Sequence, residues 1–284
     1  MSSETIIDVE QSKRSECAKH KIGECGYCSD DEMIADYKAF LVAQGVDVSG
    51  SDIIKKVKDF LGVDKESKIF RHPKFVEWYG RQRAMATLMK VFKPIGPLDT
   101  TDLLSNINID GAMHQWSEYS DSLFNRNFLH IPFHMIDFEK HDTELAKLSI
   151  KLMKDNDIDC FACVLNTDVS SGIGKHWFCI YGDLRHSGTS DDPVVIEFFN
   201  SSGNRPRPEV ASWLDRITEE ALADGIHVAH LTAVPTRLQY SRTECGVWCL
   251  AYILSRLNDI PPEIFHANST DTKITAFRRH LFIR

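Results

Sequence analysis

Cys245 stands where the turn-like run Gln239-Tyr240-Ser241-Arg242-Thr243-Glu244 gives way to the apolar stretch Val247-Trp248-Cys249-Leu250-Ala251-Tyr252-Ile253-Leu254. A helix beginning at that cysteine would aim free backbone N–H groups at the sulfur and favour thiolate over thiol, which makes a nucleophile. Gln239, six residues upstream, carries an amide suited to holding an oxyanion. A cysteine nucleophile also needs a base within reach and a partner that orients the base. Twelve histidines compete for that role. His176 is set apart because Gly172-Ile173-Gly174-Lys175 opens onto His176-Trp177-Phe178-Cys179-Ile180-Tyr181, which puts an imidazole at the mouth of a strand. The next apolar run, Val194 to Phe199, ends at Asn200. Neighbouring strands ending at similar heights would let the Asn200 carbonyl accept the ring N–H and fix the tautomer.

The elements that must position these groups follow from periodicity. Helices are predicted at Asp31 to Gln44, Ser51 to Leu61 (with Ser51 or Asp52 as N-cap) and Pro73 to Phe92. The breaker run Lys93-Pro94-Ile95-Gly96-Pro97 then divides a helical accessory domain (1–95) from a second domain (96–284). Beyond it, helices are expected at Ile109 to Tyr119, Thr143 to Lys154, Pro208 to Leu222, from Cys245, and at Thr272 to His280. Extended segments are expected at Phe128 to Phe138, Cys160 to Leu165, His176 to Tyr181, Val194 to Phe199 and Val228 to Val234. The mixture describes an α+β core behind helices. A net charge of −8 over 284 residues argues against a general nucleic-acid binder, and no run approaches membrane-spanning length. With a polar, acidic N-terminus and no signal peptide, the eight cysteines are expected to be reduced thiols.

Plainer readings stand beside each of these. Cys245 could be a buried helix residue, His176 a satisfied strand histidine and Asn200 a turn residue. Gln239 could be a loop residue, and Trp177 a core aromatic. Cys17, His20, Cys25 and Cys28 supply four soft ligands within twelve residues, which fits zinc. The four-residue central gap is short for that site, and reduced thiols in a leader are the favoured reading. Cys160 and Cys163 also have ligand-like spacing, but they sit in an apolar run with no second pair, as core residues do. The charges at Lys55, Lys56, Lys58 and Asp59 describe a solvated helix face.

His-Trp in a strand, an amide ending the next strand and Gln-x5-Cys-Gly together resemble the adenain and SUMO-protease (Ulp-type) superfamily of cysteine peptidases. The resemblance narrows to the polyprotein-processing protease of African swine fever virus and related large DNA viruses. It is carried by Asn106-Ile107-Asn108-Ile109-Asp110, Val164-Leu165-Asn166-Thr167-Asp168, Gly174-Lys175-His176-Trp177, Ile196-Glu197-Phe198-Phe199-Asn200-Ser201 and Thr243-Glu244-Cys245-Gly246. Ser15-Glu16-Cys17-Ala18 and His280-Leu281-Phe282 add to it, and the likeness is strong through 100–284 and thin before.

The resemblance implies an α+β peptidase core with an added helical N-terminal domain, cleaving viral structural polyproteins after Gly-Gly during particle maturation, without a cofactor. It implies host cytoplasmic assembly sites and the virion as locations. By position, Cys245 is the nucleophile, His176 the base, Asn200 the orienting residue and Gln239 the oxyanion donor. Trp177 lies over a channel narrow enough to select glycines, and Asn166 lines the same region. An isopeptidase acting on SUMO- or ubiquitin-like modifiers ending in Gly-Gly is the nearest alternative, and a silent Gly-Gly-binding module is a third. Two departures stand out: SUMO proteases usually carry aspartate at the position of Asn200, and the viral branch carries glutamine where this chain has Arg242.

Overall fold

The computed structural model describes residues 16–18, 27–50, 52–99, 102–233 and 236–284. Its described residues fall into two compact units, one formed by residues up to Gly96 together with Arg279–Arg284, the other by Pro97–Arg278.

The helical unit contains α1 (Asp31–Ala43), α2 (Ile53–Leu61), α3 (Glu66–Ile69), α4 (Pro73–Tyr79) and α5 (Arg81–Val91). Asp30 caps α1 by accepting the Met33 N–H, and Asp52 caps α2 by accepting that of Lys55. One helix was expected from Pro73 to Phe92, but the chain breaks it in two at Gly80. That residue sits at φ +91°, a conformation that ends an α-helix and that glycine adopts without Cβ strain. Tyr37, Phe40, Phe70, Phe75, Tyr79 and Phe92 form its aromatic centre. The last residues close the unit: Gly96 donates to the Ile283 carbonyl, Ile283 donates to that of Pro94, and Ile283 joins the core.

The expectation of reduced thiols throughout fails here. Cys17 and Cys28 form a disulfide, both buried in this unit. Spacing alone does not reveal it, because the pair is closed by tertiary packing beside Glu66, whose carboxylate accepts the Cys28 and Ser29 N–H groups. His20 and Cys25, the other two candidate zinc ligands, lie outside the described residues. The remaining described cysteines, Cys160, Cys163, Cys179, Cys245 and Cys249, are free thiols.

The second unit is built on a five-stranded sheet in sequential order, β1 (Phe128–Met135), β2 (Cys160–Asn166), β3 (Trp177–Asp183), β4 (Val194–Phe199) and β5 (Val228–Thr232). The β1–β2 and β4–β5 pairs are parallel, and β2–β3 and β3–β4 antiparallel. Its helices are α6 (Asn106–Glu118), α7 (Ser120–Phe124), α8 (Ile150–Asp155), α9 (Pro208–Ala223), α10 (Cys245–Leu257), α11 (Pro262–Asn268) and α12 (Asp271–Leu281). One sheet face carries Phe161, Phe178, Ile180 and Phe198 against Val210 and Trp213 of α9. The other carries Phe199, stacked 4.2 Å from Tyr252 of α10. A buried Glu197 on that face accepts from Tyr252 Oη at 2.6 Å and from Arg256 Nε at 2.9 Å, so its charge is paired.

The expected helix Thr143 to Lys154 shortens to α8. Thr143 caps a turn at Ala146 instead, and Ser149 starts the helix afresh by accepting the Leu152 N–H. The extended run from Phe128 stops at Met135 and turns through a 3₁₀ segment at Phe138–Lys140. Val234, the expected end of β5, lies outside the described residues.

Candidate active site

The antiparallel pairing of β3 and β4 sets the first part of the site. Cys179 is paired with Phe199, so the mouth of β3 lies beside the end of β4. There His176 Nε2 meets Asn200 Oδ1 at 2.8 Å. The Ser202 backbone N–H, which can only donate, points at the same Asn200 atom at 3.1 Å. That identifies the atom as the carbonyl oxygen, so His176 must donate through Nε2–H. The tautomer is thereby settled, and Nδ1 is left with its lone pair free to take a proton. The Ser202 hydroxyl donates to the same oxygen at 2.7 Å and holds the carboxamide in place.

Cys245 begins α10 and is 4% exposed. A helix start was expected to favour its thiolate, but burial dominates and pushes the thiol up to about 11. Main-chain hydrogen bonds from Trp177, Gly246 and Cys245 itself oppose that shift without overcoming it. They also place the sulfur against the residue next to His176. Burial likewise lowers the His176 pKa below its usual 6.5, with the Asn200 hydrogen bond acting in the opposite direction. At neutral pH the resting pair is therefore thiol and imidazole, both uncharged.

The sign of that balance can be measured. Alkylation of Cys245 by iodoacetamide, followed by peptide mapping, should accelerate continuously from pH 6 to pH 10, because thiolate grows roughly tenfold per pH unit below the thiol pKa. A rate already at plateau by pH 7 would mean a preformed ion pair and would overturn this picture.

Trp177 is clamped rather than free. Its Nε1–H donates to the Leu104 carbonyl at 3.0 Å, and its ring meets Phe133 edge-on at 6.1 Å. A Cβ on Gly246 would come within 3.1 Å of Leu104 and 3.3 Å of the indole, so a larger residue there would require Leu104 or Trp177 to give by a few tenths of an ångström. Asn166 is buried, with its carboxamide oxygen accepting the Asp168 and Lys175 N–H groups. It is turned into its own loop.

Gln239 is buried, and its amide orientation is likewise unambiguous. The Ser241 carbonyl can only accept, so the atom 2.9 Å from it is Nε2, while Oε1 accepts from Ser201 Oγ at 2.7 Å. One Nε2 hydrogen is used on Ser241, leaving the second for another acceptor. Arg242 is exposed.

Sequence reasoning missed the groups that hold the Gln239–Glu244 loop. Asp271 accepts the Tyr240 and Ser241 N–H groups at 2.7 and 2.8 Å, and Trp248 Nε1–H at 3.1 Å. Arg278, fully buried, donates to Glu244 Oε2 at 2.8 Å and to the Thr243 carbonyl at 3.2 Å. The only signal in sequence was a carboxylate directly before the cysteine, which needs a cation if it is buried. No local pattern says which of the chain's arginines supplies it.

A cysteine at a helix start and an asparagine-held histidine at a strand mouth, on one α+β sheet, are the residue types that the cysteine peptidase class uses. Comparison with known proteins agrees. The chain is 32% identical over 295 residues, with 98% of both proteins covered, to a protein described as a SUMO-1 cysteine protease from African swine fever virus (isolate Tick/South Africa/Pretoriuskop Pr4/1996). It has the same identity and coverage against the cysteine protease of the Badajoz 1971 Vero-adapted strain. The crystal structure of the African swine fever virus protease superposes with a TM-score of 0.73 at 30% identity, over 95% of this chain and 96% of that one. No protein-family model matches. The chain therefore belongs to the family of the African swine fever virus cysteine protease, and it is a hydrolase of that class.

Proposed function

We propose that the protein is an endopeptidase that cleaves viral structural polyproteins after Gly-Gly during virion maturation. The observation that supports the catalytic part is the His176–Asn200 hydrogen bond at 2.8 Å, with Cys245 at the head of α10 taking a main-chain hydrogen bond from Trp177, the residue after His176. On this reading His176 Nδ1 takes the Cys245 proton as the sulfur attacks the carbonyl of the second glycine. The tetrahedral oxyanion is held by the Cys245 N–H and the spare N–H of Gln239. The imidazolium then protonates the leaving amine and the C–N bond breaks. Water, deprotonated by His176, hydrolyses the thioester and restores the thiol. Asn200 keeps the ring in register. Its neutral amide stabilises imidazolium less than a carboxylate would, in line with an uncharged resting pair.

Trp177 supplies the specificity in this proposal. An indole fixed by Leu104 and lying close to Gly246 would narrow the approach to Cys245, and on this reading that narrowing favours glycines in the acyl half. Asn166 acts at one remove, by shaping the loop that carries His176. The implied partners are proteins with Gly-Gly-X sites rather than nucleic acid, which the net charge of −8 supports. The implied location is the host cytoplasmic assembly site and the virion, since the relatives are viral. No helix among the described residues is long and apolar enough to cross a membrane.

A second reading has support from the SUMO-1 protease description of a relative: removal of ubiquitin-like modifiers, whose tails also end in Gly-Gly. Both use the same chemistry, so the substrate decides. The protein should be incubated with a Gly-Gly-X polyprotein fragment and, separately, with a SUMO conjugate, and products read by mass. Cleavage of the fragment is expected; cleavage of the conjugate alone would replace the first reading with the second.

A further inference from the structure

A cavity of about 400 Å³ opens on the side of His176 where β2 and β4 end and β3 begins, and its wall includes His176, Asn200, Arg205 and Arg207 together with Phe178 and Phe198. No carboxylate lines it, although the chain as a whole carries a net charge of −8. Both arginines are exposed. Arg207 Nη1 donates to the Thr167 carbonyl at 2.8 Å, which fixes the base of its guanidinium and leaves its other donors for a ligand. Arg205 makes no hydrogen bond or ion pair with any described residue. Two other polar groups of the wall are committed to the site: Asn204 Nδ2 donates to Ser202 Oγ, which donates to Asn200 Oδ1.

We propose that this cavity is the subsite for the leaving half of the substrate, and that it selects an aspartate or glutamate as the first residue after the scissile bond. The inference rests on the peptidase reading and extends it. The imidazole must hand its proton to the leaving nitrogen, so the chain beyond that nitrogen passes His176, while the acyl half stays bonded to Cys245 on the Trp177 side. This cavity lies against His176, and it offers exposed guanidinium groups, whose planar fork matches a carboxylate. Phe178 and Phe198 accommodate the methylene stem of an acidic side chain.

The test uses the full chain and three peptides identical except for alanine, glutamate or lysine directly after Gly-Gly. Because the arginines are solvated, the expected preference in kcat/KM for glutamate over lysine is roughly three- to tenfold at low salt, shrinking as salt screens it. Arg205→Glu should erase that ratio, and the pair Arg205→Glu with Arg207→Glu should invert it. Equal rates on the three peptides, or a ratio untouched by charge reversal, would overturn the acidic subsite while leaving Gly-Gly cleavage standing. If none of the three is cut although the SUMO conjugate is, both the subsite and the endopeptidase reading fall together.

Discussion

Cys245→Ala is expected to lower kcat/KM on a Gly-Gly-X peptide by at least ~10⁴-fold while leaving circular dichroism and thermal unfolding close to the parent. The reasoning is that no other free thiol among the described residues can stand in. Cys160, Cys163, Cys179 and Cys249 are all fully buried. Cys163 and Cys249 are held well above the ordinary thiol range by burial. His176→Ala should cost a comparable factor, because base and nucleophile act as a unit whose parts are not additive. Asn200→Ala should cost less, on the order of 10- to 100-fold, since the loop still delivers the imidazole but no longer sets its tautomer. Measurable turnover by the alanine variant at position 245 would remove the nucleophile assignment. A loss at Asn200 equal to that at His176 would mean that the imidazole cannot function at all without its partner.

Arg278→Met should destabilise the protein by about 3–5 kcal/mol, the usual cost of stripping one partner from a buried ion pair. Arg278 and Glu244 are 0% and 1% exposed in their side chains, and the guanidinium also donates to the carbonyls of Pro97, Asp102 and Thr243. Methionine fills much of the volume but satisfies none of these acceptors, and it leaves the Glu244 carboxylate charged and dry. Glu244→Gln keeps a hydrogen-bond acceptor facing Arg278 and should be milder. Urea unfolding of the two variants measures the difference. A loss below about 1 kcal/mol for Arg278→Met would mean that water reaches Glu244 and that the pair is less enclosed than the structure has it. Because Glu244 directly precedes the cysteine, the surviving folded fraction should also show a disturbed Cys245 alkylation rate.

Much of the fold was legible in periodicity. The α+β class, the run Val194 to Phe199 and the helices from Asp31, Pro208 and Cys245 stand where apolar spacing puts them, because each buries its apolar side chains within its own unit. The misses have local causes. Gly80 interrupts an otherwise continuous helical pattern, and Thr143 and Ser149 offer side-chain acceptors that compete with the helix ladder. The disulfide between Cys17 and Cys28 was misread as free thiols because compartment and chain length are weak guides to two cysteines pressed together by packing.

At the site, residue types and order by themselves named the chemistry: a cysteine at a helix start, a histidine at a strand mouth, an amide at the end of the next strand, and a glutamine upstream. These are local signatures, set by turn residues and strand ends, and they survive without knowledge of the rest of the chain. The tertiary structure decided what state those groups are in. Burial overrides the helix start and keeps Cys245 a thiol, because desolvation depends on every element packed around the sulfur. The orientation of Gln239 depends on Ser201, the loop before Cys245 on Asp271 and Arg278, and the seat of Trp177 on Leu104 and a missing Cβ at Gly246. Each of these partners lies tens of residues away in sequence. Charge, protonation and clearance are sums over neighbours in space, so only the folded chain sets them.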